Sequence, residues 1–222
     1  MTKLELILIG FFITSLFFLL VTISLLTFYF IKGKRIKQLN IIKSKSKNKR
    51  KKIKKEIRSI SKSRKKIGFM CLVSLFLTIC LGAGTAYVSY YQSVNLSVAD
   101  QKAVVKGYYL LTDLSQQLEN IKSGELEEHD SISNTQMLGS SMASFNHLKA
   151  STTNKIDGQV KLNRYYTSLK ELGVNTIAKS QNFYDNPKLI DEFLMDVDKT
   201  INHQKEVFDY YKVDEAKLEK SK

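Results

Sequence analysis

Two uninterrupted apolar runs dominate the first hundred residues. Leu6 to Ile31 is 26 residues without a charge, and Ile67 to Ala99 is 33. Each exceeds the roughly 20 apolar residues that a helix needs to cross the hydrocarbon of a bilayer. Past Ser93 the apolar positions recur at helical spacing, and no period-two run of β-branched residues suggests a sheet. The expected fold class is all-α: a two-pass transmembrane helical hairpin followed by an extracytoplasmic antiparallel helical bundle of three or four helices, the last coiled-coil-like. The boundaries fall at residues 1–31 for the N-terminal transmembrane helix and 32–66 for a polybasic cytoplasmic loop, partly helical. Residues 67–92 then form the second transmembrane helix, and 93–222 the external domain.

Local signals place the elements of that domain. Ser97 followed by Asp100 resembles a capping box and predicts a helix to about Ile121, with Val104, Tyr108, Leu111, Leu114 and Leu118 on one broad face. The acidic stretch from Gly124 to Asp130 breaks it. Helical patterns resume from Ser131 to Leu148 and from Gly158 to Ala178, and the periodicity leaves open whether residues 131–180 form one bent helix or two. Asn186-Pro187 then gives an N-cap followed by proline at the first helical position. From there Ile190, Leu194, Val197, Ile201, Gln204, Phe208 and Tyr211, and beyond them Glu215 and Leu218, follow alternating spacings of four and three, a heptad seam in which seven of nine positions are apolar or aromatic and Gln204 is a polar interruption. A domain of this size needs its apolar faces for its own core, so burial within the bundle is favoured over docking of a partner. The adjacent pairs Tyr108-Tyr109, Tyr165-Tyr166 and Tyr210-Tyr211 predict one ring inward and its neighbour outward, which would leave exposed tyrosines suited to an interface.

Met1 to Ile31 reads as a retained anchor, because its apolar core is far longer than that of a signal peptide. Neither span holds an ionisable residue, which disfavours a transporter or proton channel. Gly82 and Ala86, four apart, would let two helices approach closely in lipid.

Charge sets the orientation. The chain has 35 Lys+Arg against 21 Asp+Glu, and 18 of the cations lie between Lys32 and Lys66 with one acid, Glu56. Basic residues close to membrane ends resist translocation, so this segment belongs in the cytoplasm and both chain ends outside. Phe28, Tyr29 and Phe30 at one boundary and Tyr87, Tyr90 and Tyr91 at the other suit the two interfacial belts. Ile53, Ile57, Ile60 and Arg64 recur at helical spacing, predicting an amphipathic basic helix lying against the inner leaflet. Anionic-lipid contact is expected from Lys49, Arg50, Lys51, Lys52, Lys54, Lys55, Arg58, Lys62, Arg64, Lys65 and Lys66, each worth about 1 kcal/mol beside an acidic surface. Lipid is favoured over an acidic protein partner, and nucleic acid is disfavoured because the segment has no Phe, Tyr or Trp for stacking.

Candidate chemistry is sparse. Cys71 and Cys80 lie nine apart, on opposite faces of a helix, so they cannot pair. His129, His147 and His203 are isolated, and no nucleophile elbow or phosphate loop is present. No cofactor, metal or catalytic site is expected. The 30 Lys to 5 Arg, one Pro and no Trp suit an AT-rich genome, with a Gram-positive bacterium as the expected source. The expected function is a non-enzymatic membrane adaptor or accessory subunit. Its external domain would engage an envelope protein or a second copy within a cell-envelope, secretion or conjugation assembly. The alternative is a membrane-anchored sensor or ligand-binding helical module.

Overall fold

The computed structural model describes residues 3–42 and 47–219, and every regular element among them is a helix. The chain divides into two compact units, Met1–Tyr90 and Tyr91–Lys222.

In the first unit, α1 spans Lys3–Ile41 and α2 spans Lys47–Val94. Both are long and apolar enough to cross a membrane. Each also runs well beyond its apolar part, so the segment at 32–66, expected to be partly helical, is helical over most of its described length. The described residues of that segment are helical except Ile42, and residues 43–46 lie outside the description. The reason is local: Lys and Arg are good helix formers, no proline interrupts, and apolar positions continue at spacings of three and four through Ile36, Leu39, Ile53, Ile57 and Ile60.

The two helices run antiparallel and touch through side chains. Phe11 lies against Gly84, Ser15 against Gly82, and Tyr29 against Gly68. Thr22 Oγ1 lies 2.8 Å from Ser74 Oγ, and Lys32 reaches Ser63. On α1 the inward positions Ser15, Phe18, Thr22, Leu25, Tyr29, Lys32, Ile36 and Leu39 alternate by three and four, and those of α2 from Ile53 to Thr78 do the same. Large apolar side chains face away from this seam, with Phe17 61% exposed and Phe69 68%.

In the second unit, α3 (Val98–Lys122), α4 (Glu128–Ala143), α5 (Ile156–Lys179) and α6 (Pro187–Tyr211) share one core. A short α7 (Glu215–Glu219) follows. Residues 131–180 thus form two helices, α4 and α5, separated by a 3₁₀ turn at Ser144–His147 and an irregular stretch. The caps follow the chemistry of their residues: Ser97 Oγ accepts from the Asp100 N–H, and Asn186 Oδ1 from that of Leu189. Gly124, with φ of 74°, turns the chain between α3 and α4. α4 and α5 cross almost in backbone contact, since a Cβ on Gly173 would stand 2.5 Å from the Ala143 nitrogen and 2.6 Å from the Gly139 oxygen.

The expected continuation of the C-terminal seam through Glu215 and Leu218 is broken. Lys212 adopts left-handed geometry with φ of 57°, and the Val213 N–H turns back to the Phe208 carbonyl at 3.0 Å. The chain then re-enters a helix at Glu215, and the Tyr109 hydroxyl donates to the Leu218 carbonyl at 3.0 Å.

Candidate functional site

The interface of α1 and α2 sets small and hydroxyl-bearing side chains among its larger apolar ones. Serine and threonine can satisfy their hydroxyls on a helical carbonyl, so they can occupy an apolar span without an orphaned donor. Ser74 Oγ donates to the Phe18 carbonyl of the facing helix at 3.1 Å, and Ser15 Oγ reaches the Thr78 carbonyl at 3.4 Å. Gly82 faces this interface, with Ser15 Oγ 3.8 Å from where its Cβ would be. Gly84 is tighter, since the Phe11 ring would lie 3.2 Å from a Cβ there. Ala86 is exposed, so of the pair Gly82 and Ala86 only Gly82 lies in the contact with α1. Cys71 is buried in the interface and Cys80 is exposed.

The basic residues divide by position. Lys49, Arg50, Lys51, Lys52, Lys54, Lys55, Arg58, Lys62, Lys65 and Lys66 are exposed along α2. Arg64 is instead half-buried, with its guanidinium 4.3 Å from the centre of the Tyr29 ring, a cation–π arrangement beside Gly33. It is a contact between helices and not a surface cation. Glu56 pairs with Arg35 of α1 at 2.9 Å.

In the second unit the seam of α6 is internal. Ile190, Val197, Gln204 and Phe208 are buried, and Leu194, Ile201 and Tyr211 flank the core partly covered. The pattern missed Phe193, Thr200 and Val207, which are also buried. Gln204 Nε2 donates to the Tyr165 hydroxyl at 2.6 Å, so the polar interruption is satisfied inside the core.

Asp100 is the strongest polar feature that sequence reasoning assigned only to a cap. Its carboxylate is 3% exposed and accepts from Ser97 Oγ at 2.7 Å, the Ser151 N–H at 3.2 Å and Asn154 Nδ2 at 3.0 Å on one oxygen, and from the Tyr166 hydroxyl at 3.0 Å on the other. These bonds pin the irregular stretch between α4 and α5 to the start of α3. Burial and then the Asp100 carboxylate push the Tyr166 pKa well above the ordinary tyrosine value, and burial does the same for Tyr165 against an opposing hydrogen bond from Gln204. Tyr211 is pushed up to about 12, chiefly by burial. The arrangement holds neutral phenols; it supplies no nucleophile.

The tyrosine pairs are corrected as well. Tyr165 and Tyr166 are both buried, and the other four rings are half-buried, so none of these six is the exposed ring expected of each pair. Among the described residues no three His, Cys, Asp or Glu side chains gather as metal ligands. An open surface groove of about 440 Å³ beside the 3₁₀ turn is lined by Phe145, Leu148 and Tyr166 together with Lys149 and Lys170. No protein-family model, no curated protein and no solved structure matches the chain.

Proposed function

We propose that the protein is a non-enzymatic, two-pass membrane adaptor. Its apolar helices form a transmembrane hairpin, its basic helix ends stand in the cytoplasm, and its C-terminal unit is an external helical bundle that engages another envelope protein. One observation carries the reading: two charge-free stretches whose large apolar side chains point away from their own interface, joined by a segment of net charge +17. Surfaces of that size and polarity need lipid around them, and that charge resists translocation. In the second unit the apolar helix faces are spent on one core, so the partner docks on its remaining surface, where Met137, Ile156 and Met195 are exposed. The test is photocrosslinking in intact cells from residues 137, 156 and 195. A discrete membrane-protein adduct is expected. Absence of any adduct from all three positions, together with protection of the C-terminal unit from external protease, would overturn the reading.

A membrane-anchored ligand-binding module is the second reading, favoured by the groove between Lys149 and Lys170. It requires a small anion to raise the melting temperature of the protein, and Lys149→Ala with Lys170→Ala to abolish that rise.

A further inference from the structure

We propose that the outer part of the basic helix, from Lys47 to Arg58 of α2, docks an acidic polypeptide segment. This rests on the membrane-spanning reading above, and it reassigns cations that composition alone gives to the inner leaflet.

Reach is the first argument. α2 is one unbroken helix from Lys47 to Val94. At about 1.5 Å per residue, Lys47 stands about 29 Å along the axis from Lys66, where the apolar run begins. Charges in physiological salt are screened over about 8 Å. Headgroups beside Lys65 and Lys66 therefore act on those residues and on Lys62, and leave Lys49, Lys51, Lys52, Lys54 and Lys55 beyond their reach. Laying the helix flat on the bilayer would separate three pairs that tie it to α1: Lys32 with Ser63, Arg64 with the Tyr29 ring, and Arg35 with Glu56.

Shape is the second. Ile53 and Ile57 are the half-covered positions of this stretch, while Lys49, Lys51, Lys52, Lys54, Lys55 and Arg58 are exposed. At about 100° per residue those six directions sweep more than half of the circumference. A planar membrane meets one side of such a rod, whereas a flexible chain can follow its curvature.

Chemistry is the third. The sole acid between Lys32 and Lys66, Glu56, is already held by Arg35 at 2.9 Å, so a carboxylate fits among these cations. The segment has no aromatic ring on which a nucleic acid base would stack. Crowding so many like charges on two adjacent helices is self-repulsive, and an anionic chain relieves it.

The experiment uses the full chain in lipid nanodiscs made with and without phosphatidylglycerol, probed with a labelled oligoglutamate peptide and an oligothymidylate of equal charge. At physiological salt the peptide is expected to bind about equally in both discs, to within about twofold, because screening isolates the outer cations from lipid. Joint Lys49→Gln, Lys51→Gln, Lys52→Gln and Lys55→Gln should weaken it about tenfold or more, and joint Lys62→Gln, Lys65→Gln and Lys66→Gln by less than about threefold. Loss of peptide binding in the anionic discs would return these cations to the membrane. Tighter binding of the oligothymidylate would assign them to nucleic acid. No peptide binding, or equal losses from the two sets of substitutions, would also overturn the proposal. Failure of the membrane-spanning reading shows separately, as labelling of Cys80 in the discs by a membrane-impermeant maleimide.

Discussion

Tyr165 and Tyr166 are neighbours on α5, about 100° apart around the helix, yet both rings are buried. That is possible because α5 is flanked by α4 on one side and α6 on the other, so its covered arc is wide. Each hydroxyl has a polar partner, Gln204 for Tyr165 and Asp100 for Tyr166, and each is held neutral. The sign of the consequence is fixed. A phenol whose folded pKa lies above the ordinary value of 10.0 keeps its proton in the native state while the unfolded chain gives it up. The native state is then the better proton binder, so its stability is intact below pH 10 and falls as pH rises further, by up to about 1.4 kcal/mol per pH unit for each buried tyrosine. Urea midpoints measured on the full chain in detergent between pH 8 and pH 11.5 should fall above pH 10, and the fall should be shallower in Tyr165→Phe. An unchanged slope in that variant would show that the hydroxyl is not held neutral. The inward turn of both rings was not legible in sequence, because a pair of adjacent tyrosines looks the same whether its helix has one neighbour or two.

At the scale of the element, α6 shows what periodicity can and cannot resolve. Asn186-Pro187 located its start, and the four-three alternation located its buried side. The same alternation left out Phe193, whose ring packs edge-on against Phe183 with centroids 4.7 Å apart, and Thr200, whose hydroxyl is satisfied by the Asp196 carbonyl at 2.9 Å. A narrow heptad stripe describes a helix that meets one partner; α6 meets both α3 and α5, and its covered face is correspondingly wider. Thr200 was invisible to a search for apolar residues because its hydroxyl is internally paired. Burial ranks the substitutions. Phe193→Ala should cost about 3–4 kcal/mol, while Leu194→Ala, partly exposed at the flank, should cost about 1 kcal/mol. Chemical denaturation of the two variants reads this directly, and equal losses would mean that the seam centres on Leu194 after all. The long helices α1 and α2 teach the converse lesson. Their apolar lengths were plain in sequence, and so was a helix over the second half of the basic segment, where isoleucines recur at spacings of three and four; the run of α1 on to Ile41 was not, because a high density of like charge suggests a loop there.

The whole molecule is a division of labour written in charge and burial. The buried residues of the hydrophobic cluster run from Ala103 to Phe208, within the second unit, and the starts of α3 and α6 are capped by its own side chains. The first unit buries little of itself: Cys71, Ser74 and Thr22 are the points where its helices close most fully. Stability in water therefore resides in the second unit, and the first depends on a surrounding that solvates its outward phenylalanines and leucines. A fragment of residues 91–222 should accordingly fold without the rest, as a soluble helical protein that unfolds cooperatively on heating and needs no oxidant, since it contains no cysteine. Its melting temperature should lie within a few degrees of the transition seen for the full chain in detergent. The first unit alone should stay insoluble until detergent or lipid is supplied. A fragment that aggregates, or melts without cooperativity, would mean that the core from Ala103 to Phe208 does not suffice. The apolar helices would then be structural supports of the second unit.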